Sequence, residues 1–383
     1  MKSLRAFASS LFLLAALAHA EDGFVPLFNG RDLSGWVNIN CAPDTFYVTN
    51  GNVYCTGFPT GILRTERMYQ NFILEAEWRH LKPKGNSGIY VWADPLTAVG
   101  QPFVRAVEVQ VLDGLEGDWY TSDGDIFPIH GAKMTPENGR GGDRAFPTEK
   151  RMKPSPEWNH YRVECIDGNI SLAVNGKVVT RGHQASPRKG YLGLESEGSP
   201  AEFRSLRVKE LPARDALAPE HLANSPEGFI PLYTGVDLRG WQTNAAVAQA
   251  WKVNDWTLKC PSTTDAKPLV SARDYGDGVF VVDWRWTDKA ELGDWMKLVR
   301  LRGRDLAAEL SGAVKADAKP EKPAGQWNRA IFTLRGNRLT VSVNGKPVVE
   351  ALTLAGMPPR GRLMLMPPAV PAELANLFVK ELD

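Results

Sequence analysis

The 383-residue sequence predicts an all-β chain built as two tandem β-sandwich domains. Three observations carry that expectation: an internal repeat, short segments whose polarity alternates residue by residue, and turn dipeptides between those segments. The repeat opens with Gly23-Phe-Val-Pro-Leu-Phe-Asn-Gly-Arg-Asp-Leu-Ser-Gly-Trp36. It is answered by Gly228-Phe-Ile-Pro-Leu-Tyr-Thr-Gly-Val-Asp-Leu-Arg-Gly-Trp241, with nine of fourteen positions identical. The echo continues in one order: Val48 and Cys55 with Val253 and Cys260, Trp78-Arg79 with Trp284-Arg285, Trp158-Asn159 with Trp327-Asn328. It closes with Val174-Asn-Gly-Lys177 against Val343-Asn-Gly-Lys346 and Val208-Lys-Glu-Leu211 against Val379-Lys-Glu-Leu382. Residues 21–211 are therefore one copy, 212–227 a linker rich in Pro, Ala and charge, and 228–383 a second copy.

The elements follow in chain order. Lys2 and Arg5, an apolar run from Leu11 to Leu17 and Ala18-His19-Ala20 make up the three parts of a cleavable signal peptide over residues 1–20, so a periplasmic or secreted location is expected. Its apolar core is too short to span a bilayer, and no later stretch predicts a membrane span. Phe72-Ile-Leu-Glu-Ala-Glu-Trp-Arg79 puts Leu74, Ala76 and Trp78 on one face and Glu75, Glu77 and Arg79 on the other, the period of a strand. Val107-Glu-Val-Gln-Val-Leu112 alternates likewise, with Glu108 and Gln110 opposite the valines. Ile170-Ser-Leu-Ala-Val-Asn-Gly-Lys-Val-Val179 is a hairpin with an Asn-Gly turn. Many short strands and no sustained helical period imply a sandwich, jelly roll or barrel.

Between Asp113 and Trp158 the first copy carries a Gly-rich, charged excursion holding Asp123, Asp125, His130, Lys133, Arg140, Asp143 and Arg144. The second copy crosses the same region with little more than Ser311 to Gln326. Long connections in compact domains are commonly functional, so the first copy is expected to hold the working site.

A formal net charge of +1 argues against a nucleic-acid footprint. The twelve Trp suit ligand stacking and sandwich core alike. Of the four Cys, Cys41 and Cys55 are close enough in sequence to close a disulfide, with two buried thiols as the alternative; Cys165 and Cys260 sit in apolar strand patterns as core. No Cys/His spacing suits a structural zinc.

Phe24-x-x-Leu-Phe-Asn-Gly-x-Asp-Leu-x-Gly-Trp36, Asn86-Ser-Gly-Ile-Tyr90, Glu108-Val-Gln-Val-Leu-Asp113, Glu157-Trp-Asn159, Val174-Asn-Gly176 and Phe203-Arg-x-Leu-Arg-Val-Lys209 together resemble the domain-of-unknown-function 1080 family, the 3-keto-disaccharide hydrolase domains. The resemblance covers nearly all of residues 23–211. Residues 228–383 keep the opening, the Trp-Asn pair, the Asn-Gly hairpin and the closing strand, but lack Asn-Ser-Gly-Ile and Glu-x-Gln-x-Leu-Asp. The resemblance implies concanavalin A-like jelly rolls with a concave sugar-facing sheet. It also implies glycosides whose glucose 3-hydroxyl a partner oxidoreductase, acting upstream, has turned into a ketone.

A 3-ketone makes the C2 proton acidic. Such a site needs a base, an electrophile or cation at the enolate oxygen and an acid for the departing oxygen. It does not need the two carboxylates of an ordinary glycosidase. Glu108 and His130 are the expected catalytic pair. Glu77, Arg79, Tyr90, Trp92, Gln110, Lys133 and Glu195 are the expected substrate-binding groups, Tyr90 and Trp92 by stacking on a pyranose; Tyr191 and Glu197 should share the polar side with Glu195. Several have a plainer alternative: a solvated strand face for Glu108 and Gln110, a packed loop histidine for His130, core packing for Tyr90 and Trp92, and a structural pairing for Arg79, which Arg285 repeats. A divalent metal ion is the one cofactor with room in this scheme, through Asp123 and Asp125, unless these only shape a polar turn around Gly124. The rival functions are a lectin-like module gaining avidity from its second copy and a conventional glucanase.

Overall fold

Alternation makes strands with one apolar face, and the structure, a computed structural model, buries those faces as expected. It describes residues 23–114, 122–224, 228–262, 266–291, 293–314 and 320–382, so the expected signal peptide lies outside the described residues. In Phe72–His80, the side chains of Phe72, Leu74, Ala76 and Trp78 enter one core. Asn175 and Gly176 take φ of 48° and 87°, and Asn344 and Gly345 take 50° and 77°, the two left-handed residues that a type I′ hairpin turn requires.

Each copy is a two-sheet antiparallel sandwich. In the first, the larger sheet runs Lys133–Pro136, Lys177–Ser186, Asn169–Val174, Asn159–Ile166, Phe72–His80, Ala201–Glu210, Asn52–Cys55 and Phe46–Thr49, with Val25–Pro26 against Ala201–Glu210. The smaller runs Trp36–Asn38, Gly61–Thr65, Tyr191–Ser196, Asn86–Ala93, Ala106–Leu112 and Ile126–Ile129. The second copy repeats both orders. Its larger sheet runs Lys346–Thr353, Arg338–Val343, Asn328–Arg335, Gly278–Trp286, Ala372–Glu381, Thr257–Cys260 and Lys252–Asn254; its smaller runs Trp241–Gln242, Leu269–Tyr275, Gly361–Leu365 and Val299–Arg300. Among the described residues it lacks counterparts of three strands, Ala106–Leu112, Ile126–Ile129 and Lys133–Pro136. The last two come from the excursion that the first copy alone carries, and the first leads into it. That excursion is thus no simple lid: it adds an edge strand to each sheet and crosses between them at His130 and Gly131, with φ of 49° and 96°.

The two sandwiches pack on each other. In the first copy, Glu75 faces outward from the larger sheet and binds Arg162 Nη1 and Arg207 Nε, each at 2.8 Å. The repeat aligns these three positions with Val281, Ile331 and Phe378, which keep the same cross-strand registers. A charged triad has become an apolar one. Val281 and Phe378 are 2% and 1% exposed, packed with Ile39, Ile62, Tyr90, Ala93 and Tyr191 on the outer face of the first copy's smaller sheet. Full burial of an aliphatic or aromatic side chain stabilises by roughly 1.5–3 kcal/mol. Around this patch, Thr60 binds Asp255 through its backbone N–H (2.8 Å) and its hydroxyl (2.7 Å). Gly100 N–H donates to Asp283 Oδ2 at 2.7 Å, Arg329 Nη2 to the Thr97 carbonyl at 2.9 Å, and Asn376 Nδ2 to the carbonyls of Ala98 and Gln101.

The expected Cys41–Cys55 bridge is not formed: both are buried free thiols. Cys55 points inward and its Sγ accepts the Gly57 N–H and donates to the Glu195 carbonyl, while burial raises both thiols, Cys55 to about 11. Cys165 and Cys260 are buried core, as expected. No helix among the described residues is long and apolar enough to cross a membrane.

Candidate active site

Where the second sandwich leaves the outer face of the smaller sheet uncovered, a hollow of about 310 Å³ remains. Its floor follows from strand alternation. Val107, Val109 and Val111 enter the core, so Glu108 and Gln110 emerge on the opposite face. They are not solvated there, being 5% and 4% exposed. Glu108 faces Tyr90 on one neighbouring strand and Phe127 on the other. Glu195 rises from the strand beyond, with Leu192 and Leu194 turned to the core. Glu197 closes the same wall, and Phe103, Phe127, Arg144, Lys84 and His130 complete the lining.

Hydrogen bonds fix these groups. The Tyr90 hydroxyl donates to Glu195 Oε1, and Asn86 Nδ2 to Glu197 Oε2. Gln110 Nε2 donates to Asn86 Oδ1 at 2.7 Å and to the Ser87 carbonyl at 3.1 Å. Ser87 Oγ donates to the Glu195 carbonyl at 2.8 Å. No donor reaches Glu195 Oε2, although it is buried. Gly88 makes room for the acids: a Cβ there would lie 2.9 Å from both Glu108 Oε1 and Glu195 Oε2.

Three carboxyls in one dry place cannot all ionise cheaply. Burial pushes Glu108 up to about 8, with the neighbouring Glu197 charge adding to it and Arg144 opposing. Burial, then Glu108, raises Glu195 well above the usual carboxylate range, and burial raises Glu197. His130 moves the other way, since partial burial disfavours its cation. Its ring lies 6.4 Å from that of Phe103, stacked at 28°, and Phe103 meets Tyr90 edge-on at 6.2 Å. The hollow thus gathers a carboxyl whose proton affinity is raised to about 8 and an imidazole whose proton affinity is lowered, both lining the same cavity.

Glu108, Gln110, Glu195 and His130 are brought together. The other expected residues are placed elsewhere or differently. Glu77 and Arg79 sit on the outer face of the larger sheet, where Glu77 binds Arg204 and Ser205, and Arg79 binds Glu202 and lies over Trp158. Arg285 repeats that pairing with Glu373 and Trp327, the structural alternative. Trp92 does not share a face with Tyr90. A register shift and a φ of 53° turn its ring into the core, where Nε1 donates to the Gln70 carbonyl. Tyr90 does not stack on a ligand either: it is fully buried, its ring packed with Phe103 and the second sandwich and its hydroxyl held by Glu195. Lys133 is exposed on the edge of the larger sheet, paired with Ser186, away from the hollow. Asp125 is held by Ser122 and Arg144, and Asp123 accepts the Gly114 N–H. No group of three or more His, Cys, Asp or Glu among the described residues could hold a metal ion. Residues 115–121 of the excursion lie outside the described residues.

Sequence reasoning did not single out Asn86, Gly88, Phe103 and Phe127. Asn86 and Gly88 had a signal in the Asn86-Ser-Gly run; Phe103 and Phe127 had none.

Residues 23–209 match the family model described as a 3-keto-alpha-glucoside-1,2-lyase-like domain. A 3-keto-disaccharide hydrolase of Bacteroides thetaiotaomicron is 25% identical over 242 residues, covering 50% of this chain and 79% of that protein. Among solved structures, a candidate glycosyl hydrolase of Parabacteroides distasonis is similar at 21% identity, TM-score 0.40, covering 50% of this chain and 95% of the other. The carbohydrate-binding module CBM66 of Bacillus subtilis is similar at 11% identity, TM-score 0.33, covering 46% and 96%.

Proposed function

We propose, from the premise that residues 23–209 are a domain of the 3-keto-alpha-glucoside-1,2-lyase-like family, that the acidic hollow cleaves 3-keto-glycosides by elimination across C1 and C2. The observation that carries this reading is the pairing of Glu108 and His130 in one hollow with proton affinities moved in opposite directions.

Neutral His130 takes the C2 proton. The electron pair left at C2 is delocalised into the 3-ketone as an enolate, and protonated Glu108 donates to that oxygen, a role open to a carboxyl only where burial keeps it neutral. The pair then forms the C1=C2 bond as the C1–O bond breaks, and the imidazolium returns its proton to the departing oxygen. Addition of water, oxygen to C1 and hydrogen to C2, yields 3-keto-glucose. Glu195, kept neutral by burial and bound by Tyr90 through Oε1, turns Oε2 to a sugar hydroxyl, and Arg144 adds positive potential on the enolate side. The ketone itself must come from an oxidoreductase acting on glucose C3, and the signal-like N-terminus suits a periplasmic or secreted enzyme.

Two measurements test this. Turnover of 3-keto-trehalose or 3-keto-lactose in D2O should place deuterium at C2 of the released 3-keto sugar, which a displacement at C1 would not do. His130→Ala should lower kcat by about 10²–10⁴-fold, whereas Glu108→Gln, which keeps a donor, should retain part of the rate and lose the alkaline limb near pH 8. Full turnover in both variants overturns the assignment. Binding of these glycosides without release would instead establish the lectin-like alternative.

A further inference from the structure

We infer that the cleft between the two sandwiches is the subsite for the leaving group, that the second copy supplies its far wall, and that it favours a neutral leaving group with an apolar ring. This inference rests on the eliminating reading of the hollow and names what the substrate carries on the other side of the scissile bond.

Three observations converge. First, the cleft, about 740 Å³, borders the hollow at a single shared side chain, His130. The group that returns a proton to the departing oxygen therefore stands where the sugar ring would end and the aglycone begin. Second, the wall opposite is apolar and belongs to the second copy: Phe229, Val281 and Ile331. Ile331 occupies the position that Arg162 holds in the first copy. Val281 is buried in the domain contact, but Phe229 and Ile331 remain half-buried, with surface still facing the cleft.

Third, the charges lining the cleft are already matched. Asp94 accepts from Arg105 Nη2 (2.9 Å) and Nε (3.1 Å) and from Asn224 N (3.0 Å) and Nδ2 (2.8 Å). Arg329 gives Nε and Nη2 to Asp283 at 2.6 and 2.9 Å. An ionic aglycone would find no uncompensated charge in these pairs. A flat apolar ring needs none and gains contact with Phe229 and Ile331.

The test uses the full chain and two substrates with the same oxidised sugar, phenyl and methyl 3-keto-glucoside, in both anomers. The wild type should show the lower KM for the phenyl compound. Phe229→Ala should raise that KM by about 10-fold or more and leave the methyl KM unchanged, which also serves as the check on folding. Ile331→Ser provides the same comparison should Phe229→Ala not fold. An unchanged phenyl KM, or equal shifts for both substrates, overturns the leaving-group subsite while the elimination stands. If the wild type releases neither aglycone, the proposed reaction itself is wrong.

Discussion

Gly88 shows how a single residue sets the chemistry of the hollow. With no side chain there, Glu108 and Glu195 approach over one strand; a methyl group would have to displace two buried carboxyl ends. Those ends can move, so Gly88→Ala should fold, yet its kcat/KM should fall about 100-fold, the scale of a 1 Å misplacement. A rate within 3-fold of wild type would show that the acids need not meet there. Glu108 carries a second consequence. Its proton affinity rises from the usual 4.5 to about 8 on folding, so between those pH values the native state binds more protons than the unfolded chain. Stability therefore falls as pH rises through that window, by up to roughly 1.4 kcal/mol per pH unit, and the loss is complete above about pH 8. Glutamine has no such loss. Thermal melts should show the Tm of Glu108→Gln gaining on wild type from pH 5 to pH 8.5, and a constant difference would contradict the buried, protonated acid.

At the scale of the element, strand alternation decides which polar groups can meet. Both sheets of the first copy carry outward acids, but the two outer faces point in opposite directions. Glu75, Glu77 and Arg79 lie on the larger sheet, in ion pairs with Arg162, Arg207, Arg204 and Glu202. Glu77→Gln and Arg79→Ala should consequently keep wild-type kcat and KM. Each partly exposed pair should cost no more than about 1 kcal/mol in urea unfolding. A change in KM would return that face to the substrate. The short segment Thr97 to Val104, bridged at its ends, matters more: it carries Phe103 onto His130 and Tyr90, and the second copy grips it through Asp283, Arg329 and Asn376.

For the molecule as a whole, duplication has left the acidic hollow on one copy and an apolar outer face on the other. The strand Tyr191–Ser196 ends its Gly190-Tyr-Leu-Gly-Leu run with Glu195, where the second copy reads Gly361-Arg-Leu-Met-Leu-Met366. With no counterpart of the strand of Glu108 among the described residues, the second copy keeps the sandwich without those acids. Its outer triad has instead become apolar and covers the first copy's sheet. Restoring the first copy's charge by Val281→Glu should place an unpaired carboxylate in that contact. It should destabilise by about 3–5 kcal/mol, read as faster proteolysis of the 212–227 linker and a separate, lower melting transition. A single unshifted transition would show that the contact contributes little.

The sequence by itself determined what depends on local periodicity and repetition. The two copies, their strands, the Asn-Gly turns, the inward valines of 107–111, and the gathering of Glu108, Gln110 and Glu195 on one face all follow from a period of two. The repeat also shows that the second copy lacks the Asn-Ser-Gly-Ile and Glu-x-Gln-x-Leu-Asp motifs. Tertiary structure decided what depends on which sheet a strand joins and what covers it. Alternation places Glu77 and Arg79 opposite the core but cannot say which of two outer faces holds the sugar. One bulge at Trp92 reverses the pattern that would have paired it with Tyr90. Lys133 parts from His130 because the chain changes sheets between them. The raised proton affinity of Glu108 required walls from distant parts of the first copy, Phe103, Phe127 and Arg144 among them; the apolar triad of Val281, Ile331 and Phe378 acquires its meaning only when the surface it covers is known.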